Sequence, residues 1–218
     1  MTPLVIVGAG GHGRETLDIV EAINTAEPTF EVLGFVDDGD VDGDVLRRRG
    51  IELLGPVEAL RTIEAAHVIA VGNSRTRARL DEQIAPWPSE PATLIHPLAS
   101  VASDNRLGTG VVLAASARVT TNVTLGRHTH LNVNAVVSHD TIVGDHVTLS
   151  PGALVNGNVT LGNRVFLGTG AVVTPSCRVG DEAVIGAGAV VVADIPAGVT
   201  AVGVPARRTG ASGGPSVA

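Results

Sequence analysis

Between Ile95 and Val191 an aliphatic residue stands at every sixth position: Ile95, Val101, Leu107, Leu113, Val119, Leu125, Leu131, Val137, Val143, Leu149, Val155, Leu161, Leu167, Val173, Val179, Ile185 and Val191. A period of six fits neither the 3.6 of a helix nor the alternation of one long strand, so each unit is a short extended piece followed by a bend. Four residues after each aliphatic comes a smaller inward candidate, among them Val111, Ala117, Ala135, Thr141, Ala153, Ala171 and Cys177. Glycine follows the aliphatic at Gly108, Gly126, Gly144, Gly162 and Gly180, a spacing of eighteen that predicts three units per coil. The predicted solid is a triangular prism of parallel β-strands, about 27 Å tall at ~4.8 Å per stacked strand.

The pattern before the ladder is different. Leu4–Val7 reads as a buried strand, Gly8 to Gly13 as a glycine turn, and residues 14–24 as a helix with Leu17, Val20 and Ile23 on one face. A strand over Phe30–Val36 ends in Asp37-Asp38. A weak strand over 50–54, a helix over 56–65 and a strand over 67–71 follow, and Arg75, Arg77 and Arg79 open the next helix. This β-α-β-α-β alternation predicts a small parallel sheet, too short for two dinucleotide-binding halves. The proline-rich stretch Pro86–Pro91 marks a boundary. The expected organisation is a Rossmann-like α/β domain over 1–88, an all-β parallel prism over 89–209 and a disordered Gly/Ser tail over 210–218.

Composition narrows the class. Aromatics make up 2% of the chain, as a core of stacked aliphatics allows. No apolar run approaches a membrane span, and Met1-Thr2-Pro3 leads into a strand rather than a basic signal region, so a cytoplasmic protein is expected. A net charge of −7 without a basic cluster argues against nucleic acid as partner. The single cysteine, Cys177, falls at an inward position and permits no disulfide.

The candidate chemistry lies at the breaks in pattern. Gly8, Gly10 and Gly13 have the G-x-G-x-x-G spacing, which serves either as a tight structural turn or as a phosphate cradle. Asp37 and Asp38 would stand at the carboxyl edge of the sheet, holding nucleoside donors or capping a solvated turn. Arg77 and its neighbours could hold a diphosphate or be solvated. In the prism, His128, His130, His139 and His146 fall within nineteen residues. His139-Asp140 has the composition of a general base beside a carboxylate; the alternative is a lone surface histidine. His128 and His146, eighteen apart, should stack about 5 Å apart on one corner. That admits a zinc reading, as in the prisms of carbonic anhydrases, but no third ligand is evident and no metal is expected. Asn122, Asn156 and Asn158, with Asn132 and Asn134, read as corner residues that satisfy backbone groups.

Gly8-Ala9-Gly10-Gly11-His12-Gly13, Phe35-Val36-Asp37-Asp38, Ile69-Ala70-Val71-Gly72-Asn73, Ser138-His139-Asp140 with Ile142-Val143-Gly144-Asp145, and Val202-Gly203-Val204-Pro205-Ala206-Arg207 together resemble one family. It is that of the bacterial nucleotide-sugar N-acetyltransferases related to sialic acid O-acetyltransferases. The resemblance covers nearly the whole chain. It implies a homotrimer of left-handed β-helices, the hand coming from the family because general rules favour right-handed crossovers. It also implies acetyl-CoA as co-substrate and a nucleotide-linked 4-amino-4,6-dideoxysugar as acceptor, UDP-linked as in bacillosamine precursors or GDP-linked as in perosamine. His139 would be the base, Asp140 its orienting acid and Asn132 a polar active-site residue. The sugar nucleotide would rest on Gly8, Gly10, Gly11, His12 and Gly13, with Asp37, Asp38, Gly72, Asn73 and Arg77 alongside. Thr148, Gly157, Thr169 and Ala187 match the pantetheine groove at a subunit interface, and Pro205 and Arg207 the nucleotide end of CoA. Thr148 stands where family members often carry a second histidine. Two rivals remain: O-acetylation of a free sugar such as sialic acid, and a non-catalytic scaffold that binds nucleotide sugars.

Overall fold

The run Leu4–Val7 lacks polar residues because both faces of its strand are covered. In the computed structural model, which describes residues 1–209, the strands β1 (Thr2–Val7), β2 (Phe30–Val36), β3 (Leu53–Gly55) and β4 (Ala66–Ile69) form a parallel sheet in the order β3-β2-β1-β4. The helices are α1 (Gly11–Ala26), α2 (Gly43–Arg47) and α3 (Ser74–Ile84). Side chains alternate across a strand, so Leu4 and Ile6 join Leu17 and Val20 of α1 in one core. Val5 and Val7 join Leu60, with Leu80 and Ile84 of α3, in a second. The tail expected over 210–218 lies outside the described residues. Among the described residues no helix is long and apolar enough to cross a membrane.

Two local expectations change. The helix expected over 56–65 is a 3₁₀ segment, Val57–Thr62, which ends where β-branched Thr62 and Ile63 lead back to the sheet. The weak strand pairs at Leu53–Gly55, slightly beyond 50–54, and α2 precedes it. Only five residues long, α2 leaves no periodic signal. Asp42 caps it, accepting from the N–H groups of Asp44 and Val45.

Every ladder residue ends a two-residue strand, from Leu94–Ile95 to Val190–Val191. Each strand pairs in parallel with its counterpart eighteen residues on, as His130–Leu131 does with Thr148–Leu149, which gives the prism three faces. Face 1 holds the strands ending at Ile95, Leu113, Leu131, Leu149, Leu167 and Ile185. Face 2 runs from Val101 to Val191 and face 3 from Leu107 to Val179. The ladder is buried from Leu113 onward, whereas Ile95 stays 38% exposed because no coil stacks on the first one. The third residue after a ladder position turns left-handed: Ser116, Asn122, His128, Asn134, Asp140, His146, Asn158, Arg164, Ser176 and Glu182 have φ of 49–63°. Gly110, Gly152, Gly170 and Gly188 occupy the same register. Asn, Asp and His tolerate this conformation better than most side chains, which accounts for their abundance here.

The sheet domain covers face 1 and the corner between faces 3 and 1. Leu94, Val112 and Ala114 of the prism enter the same core as Leu4 and Leu17. Beside this apolar contact lies Arg77, fully buried. Its Nε donates to His128 O at 2.8 Å, Nη1 to Val71 O at 2.6 Å, and Nη2 to His146 O at 2.8 Å, Val147 O at 3.0 Å and Thr148 Oγ1 at 2.8 Å. Asp81, one turn on, accepts from Arg127 at 2.6 Å and from His146 Nε2 at 2.8 Å. His128 Nε2 lies 3.1 Å from the same carboxylate but out of line for a hydrogen bond. The rings of His128 and His146 stack at 5.6 Å, as their spacing predicts, and His67 of β4 stacks on His128 at 6.2 Å. Parallel rings aim their nitrogens side by side rather than at one point. Among the described residues no group of three or more His, Cys, Asp or Glu is arranged to hold a metal ion.

This seam titrates. Burial, reinforced by His128, pulls the His67 pKa down to about 4, and burial lowers that of His128 too. Burial also brings Arg77 down to about 9, still cationic at neutral pH. For Asp81 burial acts upward, but His128, His146 and Arg127 outweigh it and hold the carboxyl well below its usual range. An unfolded histidine takes up its proton near pH ~6.5, the folded His67 only near 4. The unfolded chain therefore binds more protons in that window, and stability falls as pH drops through it, by up to about 1.4 kcal/mol per pH unit for each such histidine. Urea unfolding between pH 7.5 and 4.5 is expected to show the decline, and His67→Gln to make it shallower, the other buried histidines keeping the remainder. Arg77→Ala, which strips several buried carbonyls of their donor, should cost about 3 kcal/mol or more, and Arg77→Lys should not restore it.

Candidate active site

β1 passes into α1 through a turn that only glycine can make. Gly8 adopts φ 106°, and a side chain on Gly13 would collide with the Gly8 carbonyl. Side chains on Gly10 and Gly11 would meet nothing within 4 Å, so the space before the helix is open. No side chain caps α1, leaving its first N–H groups toward that space, where the helix dipole favours an anion. Asp37 accepts from the Ala9 N–H at 2.7 Å and the Gly39 N–H at 2.8 Å, and Asp38 from the Val57 N–H at 2.9 Å. Both carboxylates thus shape the carboxyl edge of the sheet. Gly72 and Asn73 leave β4 alongside, and Asn73 caps α3 by accepting from Thr76 at 3.0 Å. A recess of about 410 Å³ beside Gly11 is lined by Arg14, Glu15, Arg48 and Arg49, among others.

His12 turns from α1 toward the prism, where its Nε2 and His130 Nδ1 share a hydrogen bond at 3.0 Å. Burial and then the Arg77 charge hold His12 below the ordinary imidazole range, and His130 further below it. His12 and Asn132 line a recess of about 160 Å³ with Glu15, His96 and Val133. Asn132 belongs to the corner between faces 1 and 2, and Thr169 and Ala187 lie exposed farther along that corner.

Ser138-His139-Asp140 forms the corner between faces 2 and 3. Neighbours on a flat strand point oppositely, but Asp140 is left-handed at φ 59°, and the bend turns both side chains outward. His139 Nδ1 meets Asp140 Oδ2 at 2.8 Å, while Asn122 Nδ2 donates to Oδ1 at 2.7 Å. These bonds, Asn122 first and His139 second, keep the Asp140 pKa below its ordinary value. An ionised carboxylate only accepts, so a neutral His139 carries its proton on Nδ1 and its lone pair on Nε2. Gly157 lies beneath the ring one coil on: a side chain there would collide with His139 Cε1 and Nε2. Among the described residues no backbone acceptor engages the Gly157 N–H.

Two residues expected at ligands lie elsewhere. The donors of Arg77, expected at a diphosphate, are committed within the seam. Thr148, expected along CoA, is 1% exposed, donates to Gly72 O at 2.8 Å and accepts from Arg77 and Ser74. The sheet domain covers face 1 from Leu94 to Thr148, so outward side chains there meet protein rather than a groove. Pro205 and Arg207 are exposed at the far end of the prism, where Arg207 lines a recess of about 460 Å³ with Asp194, Pro196 and Arg208.

Known proteins share this arrangement. The family model described as PglD N-terminal domain matches residues 3–84, and that described as bacterial transferase hexapeptide (six repeats) matches 158–193. GDP-perosamine N-acetyltransferase of Escherichia coli O157:H7 is 35% identical over 128 residues, which span 57% of this chain and 57% of that relative. The crystal structure of PerB from Caulobacter crescentus, in complex with CoA and GDP-perosamine, is 33% identical with a TM-score of 0.88, covering 96% of this chain and 98% of that one. The acetyltransferase domain of PglB from Neisseria gonorrhoeae, in complex with acetyl coenzyme A, is 34% identical with a TM-score of 0.84, covering 95% and 99%. The chain belongs to this family of hexapeptide-repeat nucleotide-sugar acetyltransferases. Membership also gives the prism its left hand, which spacing alone leaves open.

Within a family acetyltransferase, sequence pattern passed over Asp81 and His67, and it read Asn122 as satisfying corner backbone groups whereas its amide donates to the Asp140 carboxylate. Asp81 shares a helix face with Arg77, Leu80 and Ile84, a spacing that marks a buried side. Asn122 stands eighteen residues before Asp140, the same rule that stacks His128 on His146. His67 carried no signal beyond lying in a strand. Gly157→Ala should push the His139 ring aside and lower the acetyl-transfer rate by up to about 10²-fold, with the thermal midpoint almost unchanged because the ring is exposed.

Proposed function

We propose that the chain transfers the acetyl group of acetyl-CoA to the amine of a nucleotide-linked 4-amino-4,6-dideoxysugar, GDP-perosamine in particular, with His139 as general base. The observation that carries this is the His139–Asp140 pair, with Nε2 free above Gly157. The GDP-perosamine relatives from E. coli and C. crescentus favour GDP over UDP. As the neutral amine attacks the thioester carbonyl, a C–N bond forms and the amine proton passes to His139 Nε2. The C–S bond then breaks, and the same proton neutralises the departing CoA thiolate. Asp140 holds the Nδ1–H and steadies the imidazolium. The Gly157 N–H is suited to the carbonyl oxygen as charge develops there. Cys177 is buried in the prism core, which favours direct transfer over a cysteine acyl-enzyme. With Thr148 inside the seam, His139 acts without a second base.

The reading calls for more than one copy. His139 and Gly157 stand at the corner opposite face 1, whereas the glycine turn, His12 and Asn132 lie on the face 1 side of the same chain. A sugar bound at one glycine turn therefore reaches the base of a neighbouring chain, and a homotrimer brings the corner of one prism to the flank of the next. Leu154 and Ile142, 40% and 56% exposed, flank the His139 corner and offer apolar surface for that contact. Pantetheine would run between Gly157 of one chain and Thr169 and Ala187 of the next, with Pro205 and Arg207 near the nucleotide of CoA. A cytoplasmic location suits both substrates.

His139→Asn is expected to lower CoA release in the presence of GDP-perosamine by about 10²-fold or more; activity within a few-fold of wild type would sink the proposal. GDP-perosamine should raise the melting temperature more than UDP-linked sugars do, and failure of any nucleotide to raise it would favour acetylation of a free sugar. Sedimentation should give three times the chain mass of 22.1 kDa.

A further inference from the structure

We infer that Asn122, one coil before the dyad, is a positioning residue that sets the orientation of Asp140 and, through it, the tautomer of His139. The inference rests on His139 being the base. The Asp140 carboxylate has two oxygens and one partner for each: Asn122 Nδ2 at 2.7 Å on Oδ1 and His139 Nδ1 at 2.8 Å on Oδ2. Asp140 is 52% exposed, so without the amide its carboxylate rotates freely and water competes for the oxygen that holds the imidazole. The backbone that carries the amide is itself anchored. The Asn122 N–H donates to Asp104 Oδ2 at 3.1 Å, and Thr121 Oγ1 donates to the same oxygen at 2.7 Å.

The corner register explains why this contact forms. Asn122 and Asp140 are both left-handed, with φ of 53° and 59°, and stack directly. Asn158, on the other side of Asp140 in the column, donates its Nδ2 to Ser176 Oγ at 3.0 Å, away from the dyad. Asp104 thus holds the backbone at Thr121 and Asn122, and from that fixed corner the Asn122 side chain reaches Asp140, which meets His139. The depressed Asp140 pKa, with Asn122 as its largest cause, agrees with an amide that favours the ionised carboxylate.

Asn122→Gly removes the amide while keeping a residue at ease in the left-handed region, and Asn122→Asp replaces the donor with a second carboxylate. Asn122→Gly is expected to lower kcat roughly three- to tenfold, with both KM values near wild type. The acid limb of its kcat/KM profile should move to lower pH, because the imidazolium loses part of its carboxylate. In Asn122→Asp the limb should move to higher pH, because negative charge is added. Ser176→Gly, which likewise places glycine at a left-handed corner two coils beyond Asp140, should leave all three quantities unchanged. Adding Asn122→Gly to Asp140→Asn should cost little further activity. Unchanged kcat in Asn122→Gly, or acid limbs that stay in place in both variants, overturns the inference. His139→Asn assayed in parallel separates the two ideas: if it keeps activity the base assignment fails, and if it loses activity while Asn122→Gly does not, only the role of Asn122 fails.

Discussion

An eighteen-residue coil closes only if the chain turns sharply three times, and in this prism nearly every turn drives one residue into the left-handed region. For an L-residue other than glycine that conformation costs roughly 1–2 kcal/mol. Stacking offsets it. The corner N–H groups of His128, Asp140, His146 and Asn158 each donate to a carbonyl one coil back, at 2.8–3.2 Å. The corners thereby select short polar side chains and point them outward in columns, beneath which the aliphatic ladder fills the interior. A requirement of closure thus supplies the polar groups from which a site can be made.

What each column does depends on what covers it. The corner between faces 3 and 1 is roofed by the sheet domain, and its histidines become a desolvated stack against Asp81. The corner between faces 1 and 2 meets the flank of α1, where His12 and Asn132 enclose a small recess. The corner between faces 2 and 3 is left uncovered by its own chain, and there His139 keeps its Nε2 exposed. Polar residues at the three corners thus differ in accessibility and hydrogen bonding for reasons that lie in the neighbouring element rather than in the repeat.

The architecture was legible because a period of six over seventeen units has few explanations, and strand ends fell on every ladder residue. The small sheet was legible from its alternation, apart from α2 and the shortened 3₁₀ segment, which are too brief to carry periodicity. The dyad was legible as composition but not as contact, since whether His139 reaches Asp140 depends on a backbone conformation that residue spacing does not report. Arg77 misled because a charge reads as solvent- or ligand-facing until its helix face is compared with Leu80 and Ile84. Thr148 misled for the related reason that the covering of face 1 is a property of how two domains meet.

Arg77 donates to a carbonyl of the link between β4 and α3 and to carbonyls of two successive coils of the prism, so a single guanidinium closes hydrogen bonds belonging to both halves of the chain. The nucleotide-binding sheet is therefore not an interchangeable module. A chimera that fits this prism with a sheet domain from another member of the family would have to carry the α3 face bearing Ser74, Arg77 and Asp81 together with the corners at His128 and His146. The smallest unit that can be transplanted is thus the sheet plus two coils.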